Sequence, residues 1–477
     1  MPDAARHQPT AHPTRVIALL GLAAMAFSLA QTMVVPALST LQTELHASGT
    51  AVTWTVTAYL LAAAVATPVV GRLGDMFGKQ RLLIVALGAF TAGSVIAALA
   101  DSITLIIAGR ALQGIGGGIF PLCFAIVRDE LPHARVATGI AVVSAIVGVG
   151  GGLGLVLGGV LLDHATWHWV FWAGAASGLV ATVGAAIGIP ESAVRTPGKV
   201  DVRGALVLGL GIALPLIAIA NANTWGWGSA SVLGLVAAGI VVLAGWVRLE
   251  QRTAEPIAHI PTLARPVVLL TNLASVLVGF GMFGAYVLIP QLLQASESTG
   301  YGFGYGATTS GLVMVPGAIA MLVLAPVSAR LGRRFGGHVP LALGASLSAL
   351  GLLMLGELHG SVALVMLGFL INGSGIALAF AAMPNLIVGA VPAERTGEAT
   401  GMNAVTRLIG SSLGTQITGA VLAGSVAGGA PTNHAFTTAF VVSAIGGLLA
   451  ALLAAALPRL ADRASARIGD AATATSS

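Results

Sequence analysis

The chain has 477 residues, of which 56% are hydrophobic and only 8% charged, with a formal charge of +5 and a mean hydropathy of +0.93. A soluble domain carries about a quarter charged residues, so this chain has too little polar side chain to cover a globule in water, and lipid is its solvent. The positive charge does not indicate nucleic acid, because the basic residues are spaced between apolar runs and do not cluster on one face.

Apolar runs of about 20 residues match the ~30 Å hydrocarbon layer. In chain order they lie at Val16–Leu38, Val52–Val70, Leu82–Ala100, Leu105–Val127, Val136–Leu161, Trp169–Ile189 and Ala205–Ala220. They continue at Ala230–Val247, Val267–Leu293, Thr308–Ala329, Val339–Leu358, Val362–Val388, Met402–Ala423 and Ala435–Leu457. The sequence therefore predicts an all-α integral membrane protein with fourteen transmembrane helices. In hydrocarbon every backbone N–H and C=O must be paired within its own segment, which makes each run a helix. The first run is too long for a signal-peptide core and reads as a retained helix. The single cysteine, Cys123, lies inside a span, so no intrachain disulfide forms.

The cations give the orientation. With Arg6 and Arg15 in the cytoplasm, the same side receives Arg72, Lys79, Arg81, Arg128, Arg135, Arg195, Lys199, Arg203, Arg248, Arg252 and Arg265. Arg330, Arg333, Arg334, Arg395, Arg459, Arg463 and Arg467 follow them. Of 22 Lys and Arg, only Arg110 and Arg407 fall within spans, and none falls in an external loop. Cytoplasmic loops carry excess Lys and Arg, so this alternation predicts both termini in the cytoplasm of a cell inner (plasma) membrane. No Asp or Glu lies deep inside any span.

Two turns resemble each other: Gly71-Arg-Leu-Gly-Asp-Met-Phe-Gly-Lys-Gln-Arg81 after the second run, and Arg330-Leu-Gly-Arg-Arg-Phe-Gly-Gly-His338 after the tenth. Their placement predicts a duplicated six-helix unit, as in secondary transporters. The expected organisation is a tail at 1–15, a first bundle at 16–190, and a linker with two extra helices at 191–265. A second bundle at 266–457 and a tail at 458–477 complete it.

With these motifs the chain resembles the major facilitator superfamily, and within it the fourteen-span drug:proton antiporter family. Gly71, Asp75, Gly78 and Arg81 are in register with the superfamily's signature loop, though Met76 and Gln80 replace its usual basic residues. Arg110-Ala-Leu-Gln113-Gly114 is similar to the span-four motif. Gly150, Gly154, Gly158 and Gly159 are similar to the antiporter motif of span five, with Leu155 in place of its proline. Trp167-His-Trp169-Val-Phe171 resembles the entry to span six, with His168 where Arg is common. Lys199-Val-Asp201 and Trp225-Gly-Trp227-Gly-Ser229 bracket span seven as in fourteen-span members.

Asp75 reads as part of a tight Gly-rich turn, where it pairs with Arg72, Arg81 or Arg128 or caps a helix. The resemblance implies a latch on the cytoplasmic side, which Asp129 and Glu130 either join or simply lie beside as the end of span four. Arg110 costs about 2.5–3.5 kcal/mol on insertion scales unless it snorkels or faces a polar cavity. The small polar face formed by Gln113, Gly114 and Gly116–Gly118 favours the cavity. Arg407 has the same two options. Gly150, Gly154 and Gly158 share one helix face and predict close packing where the halves meet. Gln31, Thr32, Asn272, Gln291, Asn372, Asn385, Asn403 and Gln416 line a substrate path or bond between helices. Trp54, Phe280, Phe283, Tyr286 and Phe380 offer aromatic contact to a drug-like ligand or face lipid or the core.

The resemblance implies proton-coupled efflux of drugs or antibiotic-like amphipathic compounds, with no cofactor beyond the proton gradient. Yet Ala30 stands where the family often has an acid, which leaves Asp75, Asp129, Glu130, His168 and Glu398 as proton candidates. The alternative is an importer or facilitator of a small metabolite. An enzyme is disfavoured, because the ten histidines are scattered and no HExxH or Walker loop occurs. The expected partners are a small-molecule substrate and the lipid bilayer, not nucleic acid, and the two-half plan permits a monomer.

Overall fold

The computed structural model describes residues 13–192, 199–392 and 395–474, and these are almost entirely helical. Arg6 and Arg195, counted above among the cytoplasmic cations, lie outside the described residues. The first six long helices are α1 (Pro13–Glu44), α2 (Gly49–Phe77), α3 (Lys79–Ala98), α4 (Ile103–Glu130), α5 (His133–His164) and α6 (His168–Gly188). Two more follow, α7 (Val202–Trp225) and α8 (Ala230–Glu250). Beyond a one-turn helix at Ile260–Leu263 come α9 (Pro266–Gln294), α10 (Ala307–Phe335), α11 (His338–Glu357), α12 (Val362–Val388), α13 (Thr396–Gly424) and α14 (Asn433–Ala474).

Among the described residues twelve of these helices are long and apolar enough to cross a membrane. α5 and α13 occupy the fifth and thirteenth predicted runs but are not among the twelve. The described part of α5 forms a shorter apolar helix, Gly150–His164, and α13 carries Asn403, Arg407, Ser411, Ser412 and Gln416.

Helices also extend past the predicted runs. The segment Gly71–Phe77, read from sequence as a Gly-rich turn, is the last part of α2, and only Gly78 breaks the helix. Gly78 has φ of +115°, a conformation open to glycine and strained for other residues. The second basic turn behaves alike: α10 continues to Phe335 and Gly336 breaks it at φ +88°.

The helix contacts repeat. α1 packs on α5 and α6, α2 on α4, and α3 on α4 and α6. In the second half α9 packs on α13 and α14, α10 on α12, and α11 on α12 and α14, which is the same pattern shifted by eight helices. Capping repeats too, since Ser102 accepts from Leu105 N at 3.4 Å at the start of α4 and Ser361 accepts from Leu364 N at 3.4 Å at the start of α12. The halves meet through α5 against α10 and through α2 against α13, and α7 lies along both α2 and α13 with α8 beside it.

Close backbone approach makes these contacts possible. Gly150, Gly154 and Gly158 do share a face, but that face packs on Ser28, Leu29, Thr32 and Met33 of α1, within the first half. The expectation that it joins the halves is therefore corrected. Gly152 and Gly159, on the adjacent face, meet Ala318 and Ala307 of α10, and Leu155 lies against Gly311. Gly410 and Gly414 of α13 press on Val276 and Phe280 of α9, the counterpart of the α5–α1 contact.

At the end opposite the basic turns, the halves are bonded together. Asp163, at the end of α5, accepts from Ala307 N at 3.0 Å and Thr308 N at 2.8 Å, capping α10 from across the interface. Ser39 donates to Gln294 Oε1 at 2.7 Å. Loss of a helix cap costs about 1 kcal/mol, or about fivefold in an equilibrium. Asp163→Ala is accordingly expected to raise the labelling rate of a cysteine placed at the buried Ser310 severalfold with a water-soluble maleimide, while buried Cys123 stays silent. An unchanged rate removes this cap from the closure.

Candidate functional site

Among the described residues Arg110 is the largest fully buried side chain, 1% exposed, on the second turn of α4. It neither snorkels nor pairs with an acid among the described residues. Its Nε donates to Thr55 O at 2.8 Å on α2, and its Nη1 to Ala30 O at 3.0 Å on α1 and to Gln113 Oε1 at 2.7 Å. The guanidinium lies 4.1 Å from the centroid of the Tyr59 ring, a cation–π contact. Tyr59 stacks on Phe27 at 5.0 Å and donates its hydroxyl to Phe27 O at 2.8 Å. Gln113 Nε2 in turn donates to Ser94 Oγ at 2.7 Å on α3. One cation thus joins α1, α2, α3 and α4. Its Nη2 is buried without a partner.

Helix geometry explains the assembly. Arg110 and Gln113 are three residues apart on one face of α4, and Gly109 and Gly114 flank them. A side chain at Gly109 would strike α3, and one at Gly114 would strike α2. The second half reuses this frame. Gly368-Phe-Leu-Ile-Asn372-Gly373 of α12 matches Gly109-Arg-Ala-Leu-Gln113-Gly114, and Asn372 Nδ2 donates to Ser348 Oγ at 2.9 Å on α11. Phe369 stands where the first half has Arg110. The repeated Gly-x-x-x-amide-Gly spacing was readable in the sequence, whereas the serine partners on α3 and α11 carried no signal of their own.

Arg407 of α13 is partly buried, with its guanidinium 4.9 Å from the centroid of Phe380. Asn403 donates to Asn272 Oδ1 at 2.9 Å and to Ser275 Oγ at 2.5 Å, a bond between α13 and α9. Asn385 bonds within its own helix to Ala381 O. Thr32 donates to Gly151 O at 2.8 Å, while Gln31 is partly buried beside Ala30. Phe283 and Tyr286 are core residues 5.5 Å apart, and Gln416 is buried with its Nε2 unpartnered.

At the basic end, Lys79 is the buried partner of Asp129, and Asp129 also accepts from Ser192 Oγ at 2.6 Å. Asp75 is 42% exposed and lies 3.9 Å from Lys79. The predicted pairing of Asp75 with Arg72, Arg81 or Arg128 is replaced, because Lys79 reaches into the helices and the arginines point elsewhere. Arg72 pairs with Glu255 at 2.5 Å, Arg81 with Glu191 at 3.5 Å, and exposed Arg128 lies 4.0 Å from Asp129. Glu191 also accepts from Gln80 N at 3.3 Å and Arg81 N at 3.4 Å, occupying the N-terminus of α3. The backbone N–H of Lys199 and the Arg72 guanidinium hold the Glu255 carboxyl below the ordinary carboxylate range. This tie is present at neutral pH and is lost as pH falls through that lowered value. Glu398 accepts from His259 N at 2.5 Å, and His168 stacks on Trp167 at 3.7 Å. None of these pairs joins the two six-helix halves directly.

Breaking a buried ion pair from one side costs about 3–5 kcal/mol, whereas an exposed pair contributes at most ~1 kcal/mol. Asp129→Asn is expected to lower the thermal midpoint in detergent markedly and Asp75→Asn to leave it nearly unchanged. Equal shifts would refute this assignment of the buried partner.

The Major Facilitator Superfamily profile matches residues 20–415. The chain is 29% identical over 479 residues to the tetracenomycin C resistance and export protein of Streptomyces glaucescens, covering 99% of this chain and 85% of that one. It is 31% identical to an MFS-type transporter of Mycobacterium tuberculosis, covering 82% of this chain but only 57% of that longer protein. It is 28% identical to the uridine/deoxyuridine transporter of Lactococcus lactis, covering 83% and 84% of the two chains. A solved structure of a POT peptide transporter in complex with sulfate shares the fold, with a TM-score of 0.67 over 94% of this chain and 95% of that one at 17% identity. The chain is a multi-pass membrane protein that belongs to the Major Facilitator Superfamily, a family of transporters and not of enzymes.

Proposed function

We propose that this protein exports amphipathic, antibiotic-like compounds by alternating access, driven by the proton gradient across the plasma membrane. Fourteen spans carry it, with both termini in the cytoplasm, in two six-helix bundles and an inserted helix pair. Each chain works as a monomer. The observation that carries the reading is the pair of matched inter-half contacts, α5 on α10 and α2 on α13, bonded together at one end by Asp163 and Ser39. Two similar bodies meeting through equivalent helix pairs have two equivalent ways to rock, which is the requirement of alternating access. Similarity to a resistance and export protein along the whole chain supports the outward direction. Similarity to a nucleoside transporter supports a second reading, import of a small metabolite.

In this reading α5 crosses the membrane as an apolar, glycine-rich helix, and α13 crosses it despite its polar residues. The glycines of both helices face neighbouring helices, and Asn403 of α13 bonds to Asn272 of α9, so neither helix depends on lipid-facing side chains alone.

A susceptibility panel in a pump-deficient host tests the function. Expression is expected to broaden resistance, an uncoupler to remove the gain, and Arg110→Ala to return the host to its original sensitivity. Increased uptake of a panel compound would instead favour import. Orientation is checked separately in intact cells, where cysteines at Gly226 and Ser298 are expected to react with an impermeant maleimide and one at Arg333 to stay protected.

A further inference from the structure

Beyond helix ends, the spans hold two charged side chains, Arg110 and Arg407, and no carboxylate. Arg110 is met by neutral groups alone: two backbone carbonyls, the Gln113 amide oxygen and the face of Tyr59. Arginine keeps its charge and offers five N–H donors, and here both N–H groups of Nη2 are buried without an acceptor. Arg407 in the other half has an aromatic face and no paired acid among the described residues. The membrane interior of this protein is therefore left with uncompensated positive charge.

We propose that the transported compound is an anionic amphipath, whose carboxylate or phenolate pairs with Nη2 of Arg110 as the site opens. This rests on the export reading above and names its substrate class. A charge-assisted bond from a guanidinium to an oxyanion satisfies the free donors and the unbalanced charge together. The one ring on the guanidinium, Tyr59, belongs to an aromatic cluster that suits an aromatic body: Tyr59 stacks on Phe27, and Phe27 meets Phe120 edge-on at 5.4 Å and Phe90 at 6.3 Å. A cation meets like charge at both arginines and has no acid to receive it. The membrane potential, negative inside, also drives a monoanion outward, so its export requires no carboxylate on the protein to carry charge.

The test uses two xanthene dyes of similar size, the anion fluorescein and the cation rhodamine 123, loaded into energised proteoliposomes containing the full chain. Wild-type protein is expected to move fluorescein at least tenfold faster than rhodamine 123. Arg110→Gln should abolish fluorescein movement and Arg110→Lys should retain part of it. Equal or faster movement of rhodamine 123, or movement of neither dye, overturns the proposal, and this arm needs no variant to fold. Fluorescein movement that survives Arg110→Gln overturns it as well. The drug panel stands apart from this experiment: broadened resistance confined to cationic compounds would preserve export and sink the anion site, whereas no resistance at all would remove the export reading itself.

Discussion

The constraint behind this structure is that lipid offers neither hydrogen bonds nor a hydrophobic drive between helices. Each span must pair its own backbone, and helices hold together through close packing and a few buried polar bonds. The composition reflects both demands, with 64 glycines in 477 residues. Gly154 and Gly158 let α5 rest on the backbone of α1, and Gly410 and Gly414 do the same for α13 on α9. A side chain at any of these positions would meet a neighbouring carbonyl. Small residues thus do here what a large apolar core does in water.

Within that frame, buried polar groups specify which helices meet. Arg110 bonds to carbonyls of α1 and α2 and to Gln113, which reaches α3. Asn372 performs the amide part of this task in the second half without a cation, because Phe369 fills the place of Arg110. The duplicated frame is therefore a packing device, and the arginine is an addition to one copy. That asymmetry separates the structural reading of the span-four motif from the functional one. The amide and glycines occur in both halves, and the charge occurs in one.

Sequence revealed the helices well because a span announces itself by length and apolarity. It revealed the duplication from the two basic turns, and the contact pattern repeats accordingly. Three features were hidden for physical reasons. Helical hydrogen bonding continues past the apolar run, so Gly71–Phe77 stayed helical although its composition resembled a turn. Two glycine faces of α5 differ by only a residue or two in spacing, so periodicity could not say that Gly150 meets α1 while Gly152 and Gly159 meet α10. Charge pairing at the basic end depended on reach and burial. Lys79, not an arginine, was the cation positioned to enter the space beside Asp129.

The two ends of the molecule are fastened differently, and this bears on how it moves. At the basic end, Lys79–Asp129 and Arg81–Glu191 tie helices of the first half to one another, and Arg72–Glu255 and Glu398–His259 tie both halves to the linker. The opposite end has direct bonds between halves, from Asp163 to α10 and from Ser39 to α9. Ties within a half keep it rigid without resisting separation of the halves, whereas ties between halves must break for that end to open. The linker is the exception, since it is held by α2 through Arg72 and by α13 through Glu398, two helices that face each other across the divide. Spreading the halves at the basic end must therefore stretch or release one of those contacts, which gives the inserted segment a mechanical role in that motion.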